Sequence, residues 1–267
     1  MPAVDLSDDR RILHEAVENA GRLALGFFGG IVRQTNKADG TPVSEADLAV
    51  DAYLKSTLLA ARPAYGWLSE ETDDDPARLD AARVWIVDPI DGTTSFLEGT
   101  DEWTVSVALV ERGRPVLAAV ANPPRGEFYE AERSRGARLN GRPIAVSARQ
   151  EIAGCRMLAN RAAFAPERWP APWPAMETTS CRSMAYRLCQ VADGRHDATL
   201  AISGKNDWDI AAAHLVVDEA GGRLTALDGT EIVYNRRSTR HQTTVAAGAV
   251  LHEALLARTR HYPGRAA

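Results

Sequence analysis

The sequence predicts a fold of two parts, an α+β unit over residues 1–150 and an α/β unit over residues 151–267. Apolar residues recur at three- and four-residue steps in the first sixty or so positions, which indicates two long helices. Valine-rich runs follow and predict a largely antiparallel sheet, whereas beyond residue 150 short apolar strands alternate with helices. A hydrophobic content of 45% is normal for a chain that buries a core.

Two amphipathic helices open the chain. The first is predicted from Asp8 to Phe28, where a pair of glycines ends it. The second follows the loop "NKADGTPV" with Ser44 as its N-cap, so Glu45 and Asp47 fall in its first turn. The helix dipole favours negative charge there, which by itself explains both acids without any function.

The sheet of the first half begins as a hairpin. The segment "TVSVALVERGRPVLAAVANP" predicts two strands around Arg112-Gly113-Arg114, and "GEFYEAERSRGARLNGRPI" predicts further strand and turn. In the second half we expect a strand at Arg156 to Leu158, a strand at "DATLAI", and helices from about Ser183 to Ala192 and from about Trp208 to Ala220.

A proline-rich segment interrupts the second half. "FAPERWPAPWPAME", within residues 164–177, excludes regular structure and predicts a surface loop. For its Trp169 and Trp173 we favour packing in the core or in a dimer over stacking on a substrate.

Composition narrows the function. A formal net charge of -5 argues against a general binder of nucleic-acid polymers, which is usually basic. The amino terminus is too charged for a signal peptide, and no run approaches the ~20 apolar residues of a membrane span. We therefore expect a cytoplasmic protein that engages neither membrane nor polymer. Cys155, Cys181 and Cys189 lack C-x-x-C spacing, so neither a disulfide framework nor a zinc site is indicated.

The residues most indicative of chemistry are acidic. "DPIDG" follows the apolar run "VWIV", and its turn-forming residues predict a chain reversal in which the proline lets Asp88 and Asp91 converge, with the Ile90 carbonyl between them. Glu70 and Asp209 are further candidates elsewhere in the chain. Mg²⁺ prefers such hard oxygen ligands, so the turn is predicted to hold a metal.

A phosphate site is predicted beside the metal. Gly92, Thr93 and Thr94 offer backbone N–H groups at an expected helix start, which is a natural place for an anion. Adjacent metal and phosphate sites are what metal-assisted hydrolysis of a phosphate ester needs.

These motifs carry a family resemblance. "WIVDPIDGTTSF", with "SEE" upstream and "NDWDIAAAHLVVDEAGG" downstream, resembles the inositol monophosphatase family of lithium-sensitive, Mg²⁺-dependent phosphatases. The similarity runs over nearly the whole chain. It implies a layered αβαβα sandwich, a homodimer, and two or three Mg²⁺ ions per active site.

The resemblance also implies residue roles. Asp47 and Thr94 match the pair that orients and deprotonates the attacking water, Gly92 and Thr93 match the phosphate-binding backbone, and Lys37 lies in the family's mobile loop. The metal ligands of the family match Glu70, Asp88, Ile90 through its carbonyl, Asp91 and Asp209. Hydrolysis is then expected by in-line attack of water, with no covalent phosphoenzyme.

The substrate is less constrained, because the family acts on inositol phosphates, histidinol phosphate, fructose bisphosphate and 3'-phosphoadenosine 5'-phosphate. Inositol-selective members carry a glutamate on the strand before W-D, whereas this chain has Leu200-Ala201-Ile202. Lys205, or the nearby Arg182 and Arg187, is placed to meet a second phosphate, and "SMAYRLCQVADGRHDAT" resembles bacterial 3'(2'),5'-bisphosphate nucleotidases.

Three functional alternatives follow. A nucleotidase acting on 3'-phosphoadenosine 5'-phosphate is favoured, and a phosphatase of inositol 1-phosphate or histidinol phosphate is the alternative. A regulatory or scaffolding family member with weak catalysis is the alternative of another class. The sequence speaks against the last, because a degenerate enzyme would be expected to have lost at least one of its acidic or threonine site residues.

Overall fold

The computed structural model describes residues 6–36, 40, 42–260 and 262. Within this part of the chain the α-helices are α1 (Ser7–Phe27), α2 (Glu45–Ala61), α3 (Thr93–Leu97), α4 (Met184–Ala192), α5 (Asp207–Glu219) and α6 (Ala249–Thr259). The first, fourth and fifth coincide with the expected helices to within one or two residues at each end, and the second begins directly after its expected N-cap, Ser44.

The strands of the described residues form two large sheets and two short ladders. A seven-stranded sheet has the order β3-β4-β5-β6-β7-β8-β9, and a five-stranded sheet has the order β11-β10-β12-β16-β14. The strands are β1 (Gln34–Asn36), β2 (Pro42–Ser44), β3 (Gly66–Ser69), β4 (Arg83–Asp91), β5 (Thr104–Glu111), β6 (Arg114–Asn122), β7 (Glu127–Glu132), β8 (Ala137–Leu139), β9 (Arg142–Pro143), β10 (Arg156–Leu158), β11 (Glu177–Thr179), β12 (Ala198–Ala201), β13 (Lys205–Asn206), β14 (Gly222–Thr225), β15 (Arg240–His241) and β16 (Thr244–Gly248).

Helices and sheets alternate in five layers. Helices α1 and α2 cover one face of the seven-stranded sheet, and α4 and α5 lie between its other face and the five-stranded sheet. Helix α6 covers the outer face of the five-stranded sheet. This is the αβαβα sandwich that the resemblance implied, and the fold expectation is confirmed.

The layering follows from alternation along the strands. In β4 the side chains of Trp85 and Val87 pack against α1 and α2, whereas Val84 and Ile86 pack towards α4 and α5. Successive side chains of a strand point to opposite faces, so a run that is apolar at every position becomes buried on both sides. The two-sided burial of β4 places whatever follows it between the helix layers.

The sheet division is consistent with a boundary near residue 150, but α5 crosses it. Helix α5 comes from the second half of the chain, yet it packs on β4, β5 and β6 of the first sheet. The division into units 1–150 and 151–267 stays a prediction.

The expected reversal at "DPIDG" is wrong in one respect. Strand β4 continues through Asp91 and pairs with β5 on both sides of an irregularity between Asp88 and Asp91. The chain turns only at Gly92. The strand can continue past Pro89, because a residue without a backbone N–H is tolerated at such an irregularity in the ladder.

The proline-rich segment is a loop with two short 3-10 turns, Arg161–Phe164 and Pro166–Arg168. Trp169 is buried there, donates its indole N–H to the Ala163 carbonyl at 2.7 Å, and meets Trp173 edge to face. Arg258 of α6 lies over the Trp173 ring. Both tryptophans therefore belong to the core beside α6. Among the helices of the described residues, none combines the length and the apolar character that a membrane crossing requires.

Helix α5 depends on small residues to fit between two sheets. Ala211, Ala212 and Ala213 are each at most 1% exposed. We expect Ala212→Leu to lower the free energy of unfolding by about 1–3 kcal/mol through overpacking. Ala52→Leu is the matched control, because Ala52 is exposed on α2 and the two residues have similar helix propensity. Urea unfolding of both variants checks this, and equal stability of the two would contradict the packing.

Candidate metal and phosphate site

Glu70 and Asp88 are brought together by strand pairing. Strands β3 and β4 are parallel, with Ser69 opposite Val87, and the Glu70 N–H donates to the Val87 carbonyl at 3.2 Å. The residues that follow this pair, Glu70 and Asp88, are therefore neighbours across the two strands. Residues eighteen positions apart in the sequence meet because a parallel ladder aligns the ends of its strands.

Asp88 and Asp91 face the same helix layer because of the irregularity in β4. Asp88 is opposite Ser106 and Asp91 is opposite Thr104, so three steps on β4 match two steps on β5. Without the additional residue, two positions three apart would point to opposite faces. The bulge therefore directs both carboxylates towards the amino-terminal ends of α4 and α5.

Asp209 comes from the first turn of α5. Asn206 is the N-cap, and its backbone N–H donates to Asp209 Oδ2 at 2.6 Å. This capping contact holds one oxygen of Asp209 and fixes the orientation of its carboxylate. The packing of α5 against β4 then brings Asp209 to the end of that strand.

Glu70, Asp88 and Asp209 form a cluster that fits a divalent cation. One carboxylate oxygen of each lies within 4.8 Å of the other two. Asp88 is 1% exposed, and neither of its oxygens has a hydrogen-bond partner in the described part of the chain. Burial, together with the neighbouring carboxylates of Glu70, Asp91 and Asp209, raises the pKa of Asp88 well above its usual value. A buried carboxylate without a donor, with two further carboxylates beside it, is a ligand set that Mg²⁺ or a similar hard cation satisfies.

Asp91 lies beside this cluster with different partners. Its Oδ2 accepts from Ser183 Oγ at 2.5 Å and from the Ala185 N–H at 2.6 Å, and its Oδ1 accepts from the Met184 N–H at 3.2 Å. Asp91 is thus bound to the amino terminus of α4, where the free N–H groups of a helix favour an anion. Its role as a metal ligand stays a prediction.

Asp47 contacts Thr93, and the expected pairing with Thr94 is corrected. Thr93 Oγ1 donates to Asp47 Oδ1 at 3.1 Å and also lies 3.1 Å from the Ile90 carbonyl. Thr94 is exposed, because the first turn of α3 directs Thr93 inward and the next residue outward.

Asp47 also belongs to the capping box of α2, where Oδ2 accepts from the Ser44 N–H at 2.8 Å and from Ser44 Oγ at 2.5 Å. One oxygen of Asp47 therefore caps α2 and the other faces Thr93, whereas its role in deprotonating the attacking water stays a prediction. Burial raises the pKa of Asp47, although the hydrogen bonds from Ser44 and Thr93 oppose the effect.

Gly92 needs to be glycine. Its φ of 97° lies in the left-handed region, and a Cβ there would approach the Glu102 carbonyl oxygen to 2.7 Å. The residue turns the chain from β4 into α3, so the N–H groups of the first turn of α3 follow directly on Asp91.

Lys205 lies near the acids without forming an ion pair in the described residues. Burial raises the pKa of Asp91 and of Asp209, to about 7 for Asp209, and the Lys205 ammonium opposes this in both. Arg182 instead pairs with Glu98 at 2.5 Å, and Arg187 donates to the Cys181 carbonyl. Lys37 lies outside the described residues.

Ser183 and Ile202 have surroundings that the sequence did not predict. Ser183 is 0% exposed and connects Asp91 to α4, and its signal was its position as the expected helix start. Ile202, which stands where a sugar-binding glutamate was sought, packs with the apolar cluster under α6.

Known proteins are similar to this chain over most of its length. The chain matches the Inositol monophosphatase family over residues 5–263. It is 34% identical to a histidinol-phosphatase of Chlorobaculum parvum, over 85% of this chain and 92% of that protein. It is 33% identical to an inositol-1-monophosphatase of Mesorhizobium japonicum, over 92% and 93% respectively. The crystal structure of the extragenic suppressor protein suhB from Bartonella henselae superposes with a TM-score of 0.83 at 29% identity, covering 94% of this chain and 98% of that one.

The acidic cluster predicts a pH-dependent stability that a cation removes. The fold raises the pKa of Asp209 from 3.8 to about 7, so the folded state binds a proton that the unfolded state has released. The stabilisation from this group is full below pH ~4 and is lost as the pH rises through ~7.

We therefore expect the Tm in EDTA to fall between pH 5 and pH 8, and Mg²⁺ to flatten the profile. Differential scanning calorimetry of wild type and Asp209→Asn measures this. The Tm of the variant should fall less steeply with pH, because it lacks the titrating Asp209 carboxyl. Some slope should remain, because the pKa values of Asp88 and Asp91 are raised in the same direction. A wild-type Tm in EDTA that rises over this interval would contradict the cluster.

Proposed function

The chain belongs to the inositol monophosphatase family, and from this premise we propose that it hydrolyses a small phosphorylated metabolite at the cluster of Glu70, Asp88 and Asp209, with Mg²⁺ bound there. The observation that carries the proposal is the Asp88 carboxylate, which is buried without a hydrogen-bond partner among other carboxylates. A buried charge without a partner destabilises a fold, so a carboxylate such as that of Asp88 is retained where a cation is bound. As a member of this family the protein is a phosphoric monoester hydrolase.

We assign the ligands by their availability. Glu70, Asp88 and Asp209 have converging oxygens, and Asp91 and the Ile90 carbonyl are proposed to join them as the family resemblance implies. When bound, Mg²⁺ supplies a lowered pKa of the attacking water and neutralises charge on the phosphoryl oxygens.

Asp47 and Thr93 are proposed to handle the proton of the attacking water. Thr93 Oγ1 can accept that proton while passing its own to Asp47 Oδ1, 3.1 Å away. The raised pKa of Asp47 suits a general base, because a base is more effective when its pKa approaches the working pH. We propose that the N–H groups of Gly92 and Thr93 bind the phosphate. Water and ester thus become alcohol and inorganic phosphate.

For the substrate, we propose a compound with a second phosphate, with 3'-phosphoadenosine 5'-phosphate as the specific candidate. Lys205 supports this proposal, because its ammonium faces Asp91 and Asp209 yet has no ion pair of its own in the described chain. The same charge disfavours histidinol phosphate, whose alcohol portion is cationic. Ile202 offers no hydrogen bond to the hydroxyls of an inositol.

Inositol 1-phosphate and histidinol phosphate remain the alternative substrates, because relatives bear these names. Family membership also supports a cytoplasmic homodimer inhibited by lithium, and these stay predictions. A purely regulatory role is disfavoured by the cost of keeping Asp88 buried without a partner.

The assignment of the proton relay separates two adjacent threonines. We expect Thr93→Val to lower kcat by about 10²–10⁴-fold, because it removes the hydroxyl between water and Asp47 while keeping the side-chain shape. Thr94→Val is the matched control and should stay near wild type, because Thr94 is exposed. Steady-state phosphate release measures both. A loss confined to Thr94→Val would return the relay to Thr94, and equal losses in the two variants would contradict its assignment to Thr93 alone.

The substrate is tested by phosphate release in Mg²⁺ from 3'-phosphoadenosine 5'-phosphate, inositol 1-phosphate and histidinol phosphate. We expect the first to have a kcat/KM at least about a hundredfold higher, a difference of about 2.7 kcal/mol in transition-state binding. Lys205→Ala should raise its KM by about 10- to 100-fold, the loss of a charge-assisted hydrogen bond. The variant should leave the KM for inositol 1-phosphate unchanged and lower that for histidinol phosphate, whose cationic portion the Lys205 charge repels.

Lys55→Ala controls for the loss of a positive charge, because Lys55 lies on α2 eight residues beyond Asp47 and lines a different cavity, with Asp73 and Asp75. A higher kcat/KM for inositol 1-phosphate would reject the bisphosphate substrate only. Absence of phosphate release from every substrate would reject the hydrolytic proposal itself.

A further inference from the structure

A chain of hydrogen bonds, buried or partly buried, connects the segment that follows Glu70 with the start of the helix that carries Asp209. Glu70 precedes the crossover from β3 to β4, whereas Asp209 begins α5 in the other half of the chain. Side chains that the proposed chemistry does not use connect the two segments. We call them the polar bridge: Asp74, Arg78, Asn235, Asp207 and His241.

Arg78 is the centre of the polar bridge. It is 2% exposed, and its guanidinium binds Asp74 at two points, Nε to Oδ1 at 2.5 Å and Nη2 to Oδ2 at 2.9 Å. Nη1 donates to Asn235 Oδ1 at 2.6 Å, and Nη2 also donates to the Arg236 carbonyl at 3.1 Å. A buried guanidinium satisfied by two separate segments holds them in one relative position.

Asn235 carries the connection to α5. Its backbone N–H donates to Asp207 Oδ2 at 2.8 Å, and its side-chain amide donates to the Arg78 carbonyl at 3.3 Å. His241 Nε2 lies 2.6 Å from Asp207 Oδ1. Asp207 is 0% exposed and is the first residue of α5, so both of its oxygens are held two residues before Asp209.

Gly66 permits the close approach of the Arg78 segment to β3. A Cβ at Gly66 would lie 3.0 Å from Arg78 Cβ and 3.1 Å from Arg78 Cα. Gly66 begins the strand that ends directly before Glu70. Arg78 lies in a 3-10 turn, Pro76–Asp80. One side of this turn packs on the backbone of β3, and the other is connected through Asn235 to the start of α5.

We propose that the polar bridge positions Glu70 and Asp209 for the cation, with Arg78 and Asn235 as positioning residues that touch neither cation nor substrate. The inference rests on the proposed Mg²⁺ site. Carboxylates gathered in one cluster repel each other, and without a brace the start of α5 would move away from β3 and β4 when no cation is bound. The bridge holds the ligands close in advance, so binding does not have to pull the helix inward.

The test compares two asparagines that match in conformation. Asn235 has a φ of 53° and Asn140 a φ of 50°, and glycine accepts both. Asn140 also uses its side chain twice, accepting from the Phe128 N–H at 2.8 Å and donating to the Gly126 carbonyl at 2.9 Å. It lies between β8 and β9, at the edge of the sheet opposite β3 and β4. Asn235→Gly and Asn140→Gly thus remove the same number of side-chain hydrogen bonds, one set inside the bridge and one outside.

Isothermal titration calorimetry with Mg²⁺ on the full chain, without substrate, reads the cation directly. We expect N235G to raise the Kd for Mg²⁺ by about 10-fold or more, the usual effect of losing a group that supports metal ligands. N140G should keep the wild-type Kd, whatever the change in its Tm in EDTA. Saturating Mg²⁺ should restore more of the kcat of N235G than of its Tm.

The outcomes separate the two proposals. A Kd of N235G within twofold of wild type, whatever its loss of Tm, overturns the positioning role and leaves the metal site intact. A wild-type protein that binds no Mg²⁺ overturns the proposed function and the bridge with it. If N235G does not fold, His241→Ala and His241→Gln replace it: alanine should raise the Kd, glutamine should restore it by donating to Asp207, and equal affinities would overturn the inference.

Discussion

The structure depends on one unfavourable interaction, the mutual repulsion of carboxylates inside the protein. Oxygens of Glu70, Asp88 and Asp209 lie within 4.8 Å of one another, and Asp88 has no hydrogen-bond partner in the described residues. Coulomb repulsion at such distances is strong where water is scarce. The cluster is maintained because each acid is held by a different element that the core fixes: the end of β3, the bulged end of β4 and the first turn of α5.

Around this cluster the fold distributes compensating groups. The amino terminus of α4 donates to Asp91, the N-cap of α5 donates to Asp209, and Ser44 with Thr93 donates to Asp47. Each donor group belongs to a helix start, where backbone N–H groups have no partner within the helix. Among the described residues no such donor contacts Asp88, so a cation bound there would compensate its charge. The five-layer architecture brings these helix starts to one place, since α4 and α5 both begin beside the end of β4.

The same arrangement relates stability to function. In the metal-free protein the acids destabilise the fold as the pH rises, whereas the surrounding hydrogen bonds and the polar bridge oppose their separation. A site arranged in this way has its ligands in place before the cation binds. The buried alanines of α5 pack between the two sheets and stabilise the fold against the repulsion of the acids. Arg78 and Asn235 hold the segments of the acids together, and they make no contact that the chemistry requires.

The sequence by itself determined the helices α1, α2, α4 and α5, the central hairpin, and the set of acids, because periodicity, N-caps and the "DPIDG" and W-D motifs are local signals. It did not determine that "DPIDG" continues a strand, because a bulge is defined by its partner strand, and β5 supplies that partner. It also assigned the hydroxyl beside Asp47 to Thr94 instead of Thr93, since the choice depends on the direction in which α3 leaves Gly92. The sequence did not predict the polar bridge for the same reason. Arg78, Asn235 and His241 carry no local signal of their contacts, which form only when tertiary packing brings them to Asp207 at the start of α5.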